Sequence, residues 1–118
     1  MIDRFSDRLD PGTYSEEEGV GFGLAQAGTS PDPDALVMVP ETLVVRLRLI
    51  ASAYSLHHLP MIDVHGETRF NHIQRQNLGM ELEFISNVVR DPALVAIMIN
   101  LRRLVEDGRG WDLVVSGP

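Results

Sequence analysis

The stretch Pro40-Glu41-Thr42-Leu43-Val44-Val45-Arg46-Leu47-Arg48-Leu49-Ile50-Ala51-Ser52-Ala53-Tyr54-Ser55-Leu56 can be read in two ways. Its middle, Val45 to Leu49, alternates apolar and basic residues as a half-buried strand does. Over the full length, however, Leu43, Leu47, Ile50 and Tyr54 recur at helical spacing, and Val44 and Ala51 widen the stripe. Pro40 suits a first-turn position, where its missing N–H breaks no helical bond, and Glu41 follows near the positive end of the helix dipole. Length favours the helix, because the pattern runs on through Ala51–Leu56, beyond an ordinary strand, while the strand reading stays open.

Upstream, Ala35-Leu36-Val37-Met38-Val39 is a continuous apolar run, which predicts a strand buried on both faces. Thr29–Asp34, with Pro31 and Pro33, reads as an extended linker. The segment GVGFGLAQAG, Gly19 to Gly28, lacks the G-x-G-x-x-G spacing, follows three glutamates and has no lysine, so it is not a phosphate cradle. It reads as an irregular or edge strand burying Val20, Phe22 and Leu24. Residues 1–34 are thus expected to be an acidic, partly disordered N-terminal arm and linker, and residues 35–118 a single domain.

Downstream, Leu59-Pro60 ends the first helix and Met61–Val64 predicts a second buried strand. His65-Gly66-Glu67-Thr68 reads as a turn. Asn71 and Gln74 form a capping pair for a helix with Ile73, Leu78, Leu82, Ile85 and Val89 along its core face, expected to stop at Arg90 before Pro92. Asp91-Pro92 opens a further helix, closed by Gly108, with Leu94, Ile97, Met98, Leu101, Leu104 and Val105 inward and Val95 and Ile99 on its flank. Trp111–Val115 is the final strand. The order predicts an α+β domain with three or four strands in one mixed sheet packed against about three helices.

The chain has 118 residues, 44% hydrophobic and 23% charged, which is ordinary globular composition. It has no apolar run long enough to span a membrane and no signal-peptide pattern, so a cytoplasmic location is expected. Cysteine and lysine are both absent. That removes disulfides, thiolate ligands, Schiff-base chemistry and a P-loop. The net charge of −7 is uneven: eight acids against two arginines give −6 over residues 1–34, and nine acids against eight arginines give −1 over residues 35–118. Nucleic acid is therefore disfavoured as a partner, and a basic protein would be attracted.

All four histidines lie between His57 and His72. A metal would need three or four converging ligands, and the candidates are His58, Asp63, His65 and His72. Asp63, His65 and His72 are also the candidates for acid–base chemistry, since a carboxylate beside an imidazole can orient it for proton transfer. The competing reading makes them turn and cap residues, in a turn stabilised by Gly66 and Thr68. No cofactor loop is present, and no cofactor is expected.

The segment DVHGETRFNHIQRQNLGMELEFI contains Gly66, Thr68, Phe70, Asn71 and Gln74 in a G-x-T-x-F-N-x-x-Q arrangement leading into a helix. Over about residues 60–118 it resembles small uncharacterised bacterial proteins, some of which resemble the immunity proteins that accompany secreted toxins. The resemblance implies binding rather than catalysis and transfers no catalytic residue. Three readings stay open: a non-enzymatic protein-binding module using acidic and apolar surface; a small metal-dependent enzyme with its site around residues 63–72; and a self-associating accessory subunit meeting its copy through Ala93–Leu104.

Overall fold

The computed structural model describes residues 19–118. It contains β1 (Gly19–Ala25), β2 (Val37–Pro40), α1 (Glu41–Ala53), β3 (Glu67–Phe70), α2 (His72–Val88), α3 (Pro92–Val105) and β4 (Asp112–Ser116). The four strands form one sheet in the order β2-β1-β4-β3. The fold is α+β, but the expected mixed sheet is corrected to an antiparallel one, since each neighbouring pair runs antiparallel. The acidic arm over residues 1–18 lies outside the described residues. Residues 19–25, assigned by sequence to the arm and linker, belong to the domain, because β1 is a central strand.

The ambiguous stretch resolves as a helix. Leu43, Val44, Leu47 and Ala51 are buried along α1. Arg46 and Arg48, whose alternation imitated a strand, lie on its flanks. The helix ends in a Schellman motif: the Leu56 N–H donates to Ala51 O at 2.9 Å and the Ser55 N–H to Ser52 O at 3.1 Å. Ser55 occupies the left-handed position, φ 59°, usually taken by glycine. This turn sends the chain back toward α2.

Two strand expectations are corrected. The run Ala35–Val39 forms an edge strand only from Val37, with Met38 exposed and Val39 buried, so it is not enclosed on both faces. Met61–Val64 is not a strand. Pro60 sits in a short 3-10 turn over Leu59–Met61, and Ile62 and Val64 are buried from irregular backbone. The pairing strand comes later, at Glu67–Phe70, where Thr68 aligns with Val115 and Phe70 with Leu113. Gly66 made this segment read as a turn, yet its tail is β-rich in Thr68 and Phe70.

Val20, Phe22, Leu24, Phe70, Leu113 and Val115 form the sheet side of the core, and residues of the three helices cover them. Burying each such side chain contributes about 1.5–3 kcal/mol. The opposite face of β1 shows Gly21 and Gly23. A Cβ on Gly23 would meet Leu36 Cδ2 at 2.6 Å and Pro31 Cβ at 2.7 Å, so only glycine lets the 26–36 connection lie flat there. Arg69, on β3, fixes that connection. Its Nη2 donates to the carbonyls of Gln26 and Thr29, and its Nε to Asp112, each at 2.9 Å.

Asn71 and Gln74 form the expected capping box of α2, and the helix ends at Val88, two residues short of the expected Arg90. Pro92 opens α3, but Asp91 makes no side-chain capping bond and instead lies 3.9 Å from Arg46. The C-cap of α3 is Glu106 rather than Gly108.

Candidate functional site: the outward face of α2

α2 has two differently built faces. The inward face carries Leu78, Leu82 and Ile85, along with Gly79, where a Cβ would approach Val105 of α3 to 3.3 Å. Two charged residues are buried with them, Glu81 and Arg75.

Glu81 is 8% exposed. Its carboxylate accepts the backbone N–H groups of His57, His58 and Leu59 at 2.8–3.2 Å, together with His58 Nδ1 at 2.8 Å. Because a carboxylate only accepts, the ring nitrogen facing it is the donor. The three N–H groups are the orphan donors at the head of the Leu59–Met61 turn. Glu81 satisfies them, as a cap does, from 22 to 24 residues away in sequence. With its lone pairs engaged, this carboxylate has no capacity left for general base work.

Arg75 is 3% exposed. Its Nη2 donates to the carbonyls of Asp107, at 3.0 Å, and Arg109, so it grips the loop that follows α3. Its Nε and Nη1 are buried without a hydrogen-bond partner. In that loop Arg109 binds the Asp107 carboxylate through Nε and Nη2 at 2.9 and 3.0 Å, and its backbone N–H adds a third bond. The Arg109 side chain, and then its backbone N–H, hold the Asp107 carboxyl down at about 2. The Arg109 guanidinium also lies 4.3 Å from the centre of the Trp111 ring.

The outward face of α2 is apolar. Ile73, Met80, Phe84 and Val88 follow one another by seven, four and four residues, a single stripe at helical periodicity. They are 59%, 66%, 40% and 42% exposed. Tyr54, half exposed at the end of α1, meets Phe84 edge to face with ring centres 5.2 Å apart. Such pairs contribute about 0.5–1.5 kcal/mol beyond area burial, so the two rings extend one rigid patch. The polar residues between them are Gln76, Asn77, Glu83 and Asn87, only one of which is charged.

Sequence reasoning assigned Ile73 to the core of α2 and sought an interface on α3. In the fold, Val95, Ile97 and Leu104 of α3 are half-buried against the core, leaving Ile99 exposed. The signal on α2 was present: Ile73, Met80, Phe84 and Val88 share one face, opposite Leu78, Leu82 and Ile85. A helix apolar on two sides must either lie between two layers or carry an uncovered stripe.

The histidine-rich stretch is dispersed. His58 is committed to Glu81. Asp63 accepts the His65 N–H at 2.9 Å, and its own N–H donates to Thr68 Oγ1 at 2.9 Å, which is the geometry of a side-chain-stabilised turn. His65 Nε2 lies 3.7 Å from Glu41, and its ring is largely in solvent. His72 lines a cleft of about 460 Å³ with Arg75, Glu83, Asp107 and Arg109. β3 separates His65 from His72, holding them more than ~10 Å apart at about 3.3 Å per residue. Asp63, His65 and His72 therefore do not meet in one cleft. Among the described residues no group of three or more His, Asp or Glu side chains is placed to hold a metal ion. No helix among them is long and apolar enough to cross a membrane. A second cleft, of about 540 Å³, lies between the 26–35 connection and Trp111.

Compared with known proteins, the chain matches no family model, no curated protein and no solved structure.

Proposed function

We propose that this chain is a non-enzymatic protein-binding module whose contact face is the outward side of α2. One observation carries the reading: four large apolar side chains and Tyr54 form a continuous exposed stripe on a well-capped helix. Patches of this kind, rimmed by polar residues, are characteristic of protein interaction sites. The arrangement of charge agrees with it, since Glu81 is saturated by backbone donors and Asp63 Oδ1 accepts the His65 N–H within its own turn. Both carboxylates serve the architecture, leaving recognition to the apolar surface.

The test is a photo-crosslinking amino acid at position 84, introduced into the full chain expressed at native level in its own host. Protein adducts heavier than the 13.1 kDa chain are expected, and they should vanish when Met80→Asp is added. Absence of any adduct, with the protein folded by circular dichroism, would remove the reading.

A further inference from the structure

Asp107-Gly108 is the one Asp-Gly step in the chain, and the chain has no Asn-Gly step. Asp-Gly is where a backbone most readily attacks its own side chain, because glycine sets no Cβ beside the attacking nitrogen and lets the chain bring it round. The neighbours put up no obstacle here. Gly108 is exposed in the loop after α3, and a Cβ built on it would meet nothing within 4 Å. What stands in the way is Arg109. Its Nε and its backbone N–H both donate to Asp107 Oδ1 at 2.9 Å, and its Nη2 donates to Oδ2 at 3.0 Å. Both carboxylate oxygens are thus tied to the residue beyond the attacking nitrogen, by a charged fork that suits them.

We infer that Asp107–Gly108 is a latent isoaspartate site, held shut by the Arg109 clamp. Once the carboxyl is released, the Gly108 nitrogen bonds to Asp107 Cγ. The amide proton and the carboxyl hydroxyl leave together as water, and a five-membered succinimide closes. Water then adds back. Breaking the new Cγ–N bond restores aspartate, whereas breaking the original peptide bond leaves the main chain running through Cγ and frees the α-carboxylate. The two steps together consume nothing, since the water lost is the water returned. Cyclisation needs the neutral carboxyl, because an ionised oxygen cannot leave. The clamp holds that carboxyl at about 2 instead of 3.8, which makes the neutral form roughly 60-fold scarcer at neutral pH.

The product meets a cation already in place. Arg75 Nη2 donates to the Asp107 carbonyl oxygen at 3.0 Å, while its Nε and Nη1 are buried without a partner. In the iso form that same oxygen belongs to a free carboxylate. The modification therefore moves the negative charge of residue 107 from the surface guanidinium of Arg109 to the buried one of Arg75. The extra main-chain carbon falls in a loop where Gly108 and Gly110 both have open space.

The test ages the purified full chain at neutral pH. Isoaspartate is counted by enzymatic methylation of its α-carboxylate, and succinimide by the loss of one water from the intact mass. Arg109→Gln, which removes the fork, should accumulate isoaspartate at least about fivefold faster than wild type, after allowing for solvent screening of a surface pair. Arg109→Lys, which keeps the charge without the fork, should fall between the two. Adding Gly108→Ala to Arg109→Gln should bring the rate back to wild type or below. Alanine fits there without strain, since Gly108 is not in the left-handed region. Equal ageing of wild type and Arg109→Gln, both folded by circular dichroism, overturns the inference, as does label that survives Gly108→Ala. Should Arg109→Gln lose the fold, Arg109→Lys decides in its place, and ageing no faster than wild type overturns the inference.

Discussion

Glu81 and Arg75 lie six residues apart on α2, both turned inward, and each grips a loop by its backbone. Glu81 meets a loop that offers three N–H groups in a row and the His58 ring, so every oxygen is engaged. Arg75 meets a loop that offers two carbonyls, and only one of its three nitrogens finds a partner. A loop entering a 3-10 turn presents converging orphan donors, which suit a carboxylate. A loop leaving a helix presents scattered carbonyls, which a planar guanidinium satisfies only along one edge. Burial alone therefore does not measure what a charge contributes; the completeness of its partners does.

The largest effect expected from this contrast is at Glu81. Glu81→Ala leaves three backbone donors without an acceptor in a closed space and should destabilise the fold by about 3–5 kcal/mol. Urea denaturation measures it, and a loss below about 1 kcal/mol would end the claim that the carboxylate anchors the 57–59 loop. Arg75→Met should fall within about 1 kcal/mol of wild type in the same experiment. It removes two unsatisfied buried donors along with the bonds to Asp107 and Arg109, whose loop is open enough for water to replace them. A cost as large as that of Glu81→Ala would mean the two nitrogens are paired in solution, and the contrast would collapse.

The smallest effect is in the Arg75 loop itself. The Asp107 carboxyl is lowered to about 2 in the fold from an ordinary 3.8, so its contribution is complete above 3.8 and is lost as pH falls from there toward 2. Because the pair lies at the surface, screening keeps the loss small. Between pH 4.5 and 2.5, wild type should lose only about 1–2 °C more in Tm than Asp107→Asn does. Equal losses in the two proteins would show that the Arg109 clamp does not hold the loop.

Much of the helical framework was legible because its signals are local. Pro40-Glu41, Asn71 with Gln74 and Pro92 are caps and first-turn residues whose chemistry does not depend on distant neighbours, whereas Asp91 turned to Arg46 instead of capping. The sheet was less legible. Ile62 and Val64 alternate as strand residues do, but the Ile62 N–H is taken by Leu59 O in the turn at Pro60, and the Asp63 N–H by Thr68 Oγ1. Glu67–Phe70 became a strand because β4 was there to pair with it, and no sequence window contains both. The same limit applied to α2. The register of Leu78, Leu82 and Ile85 was clear, yet Ile73 fitted that pattern only approximately, and its exposure follows from where the sheet ends. Neither buried charge could be foreseen, since the groups that satisfy Glu81 lie more than twenty residues upstream and those that Arg75 grips lie more than thirty downstream.

β4 is the strand that joins the sheet, with β1 on one side and β3 on the other. A chain emerging from its N-terminal side can close the β1–β2 hairpin early, but β1 then presents an unfilled edge, with Phe22 and Leu24 beside it, for the 71 residues between Pro40 and Asp112. That interval makes folding depend on a long-range pairing, which is slow, and leaves an adhesive strand waiting while it occurs. In a crowded cell the hazard is greatest for the half-made protein, and the glycines on the face of β1 away from the helices, which give a stray strand few side chains to lock onto, reduce what a wrong partner can gain there.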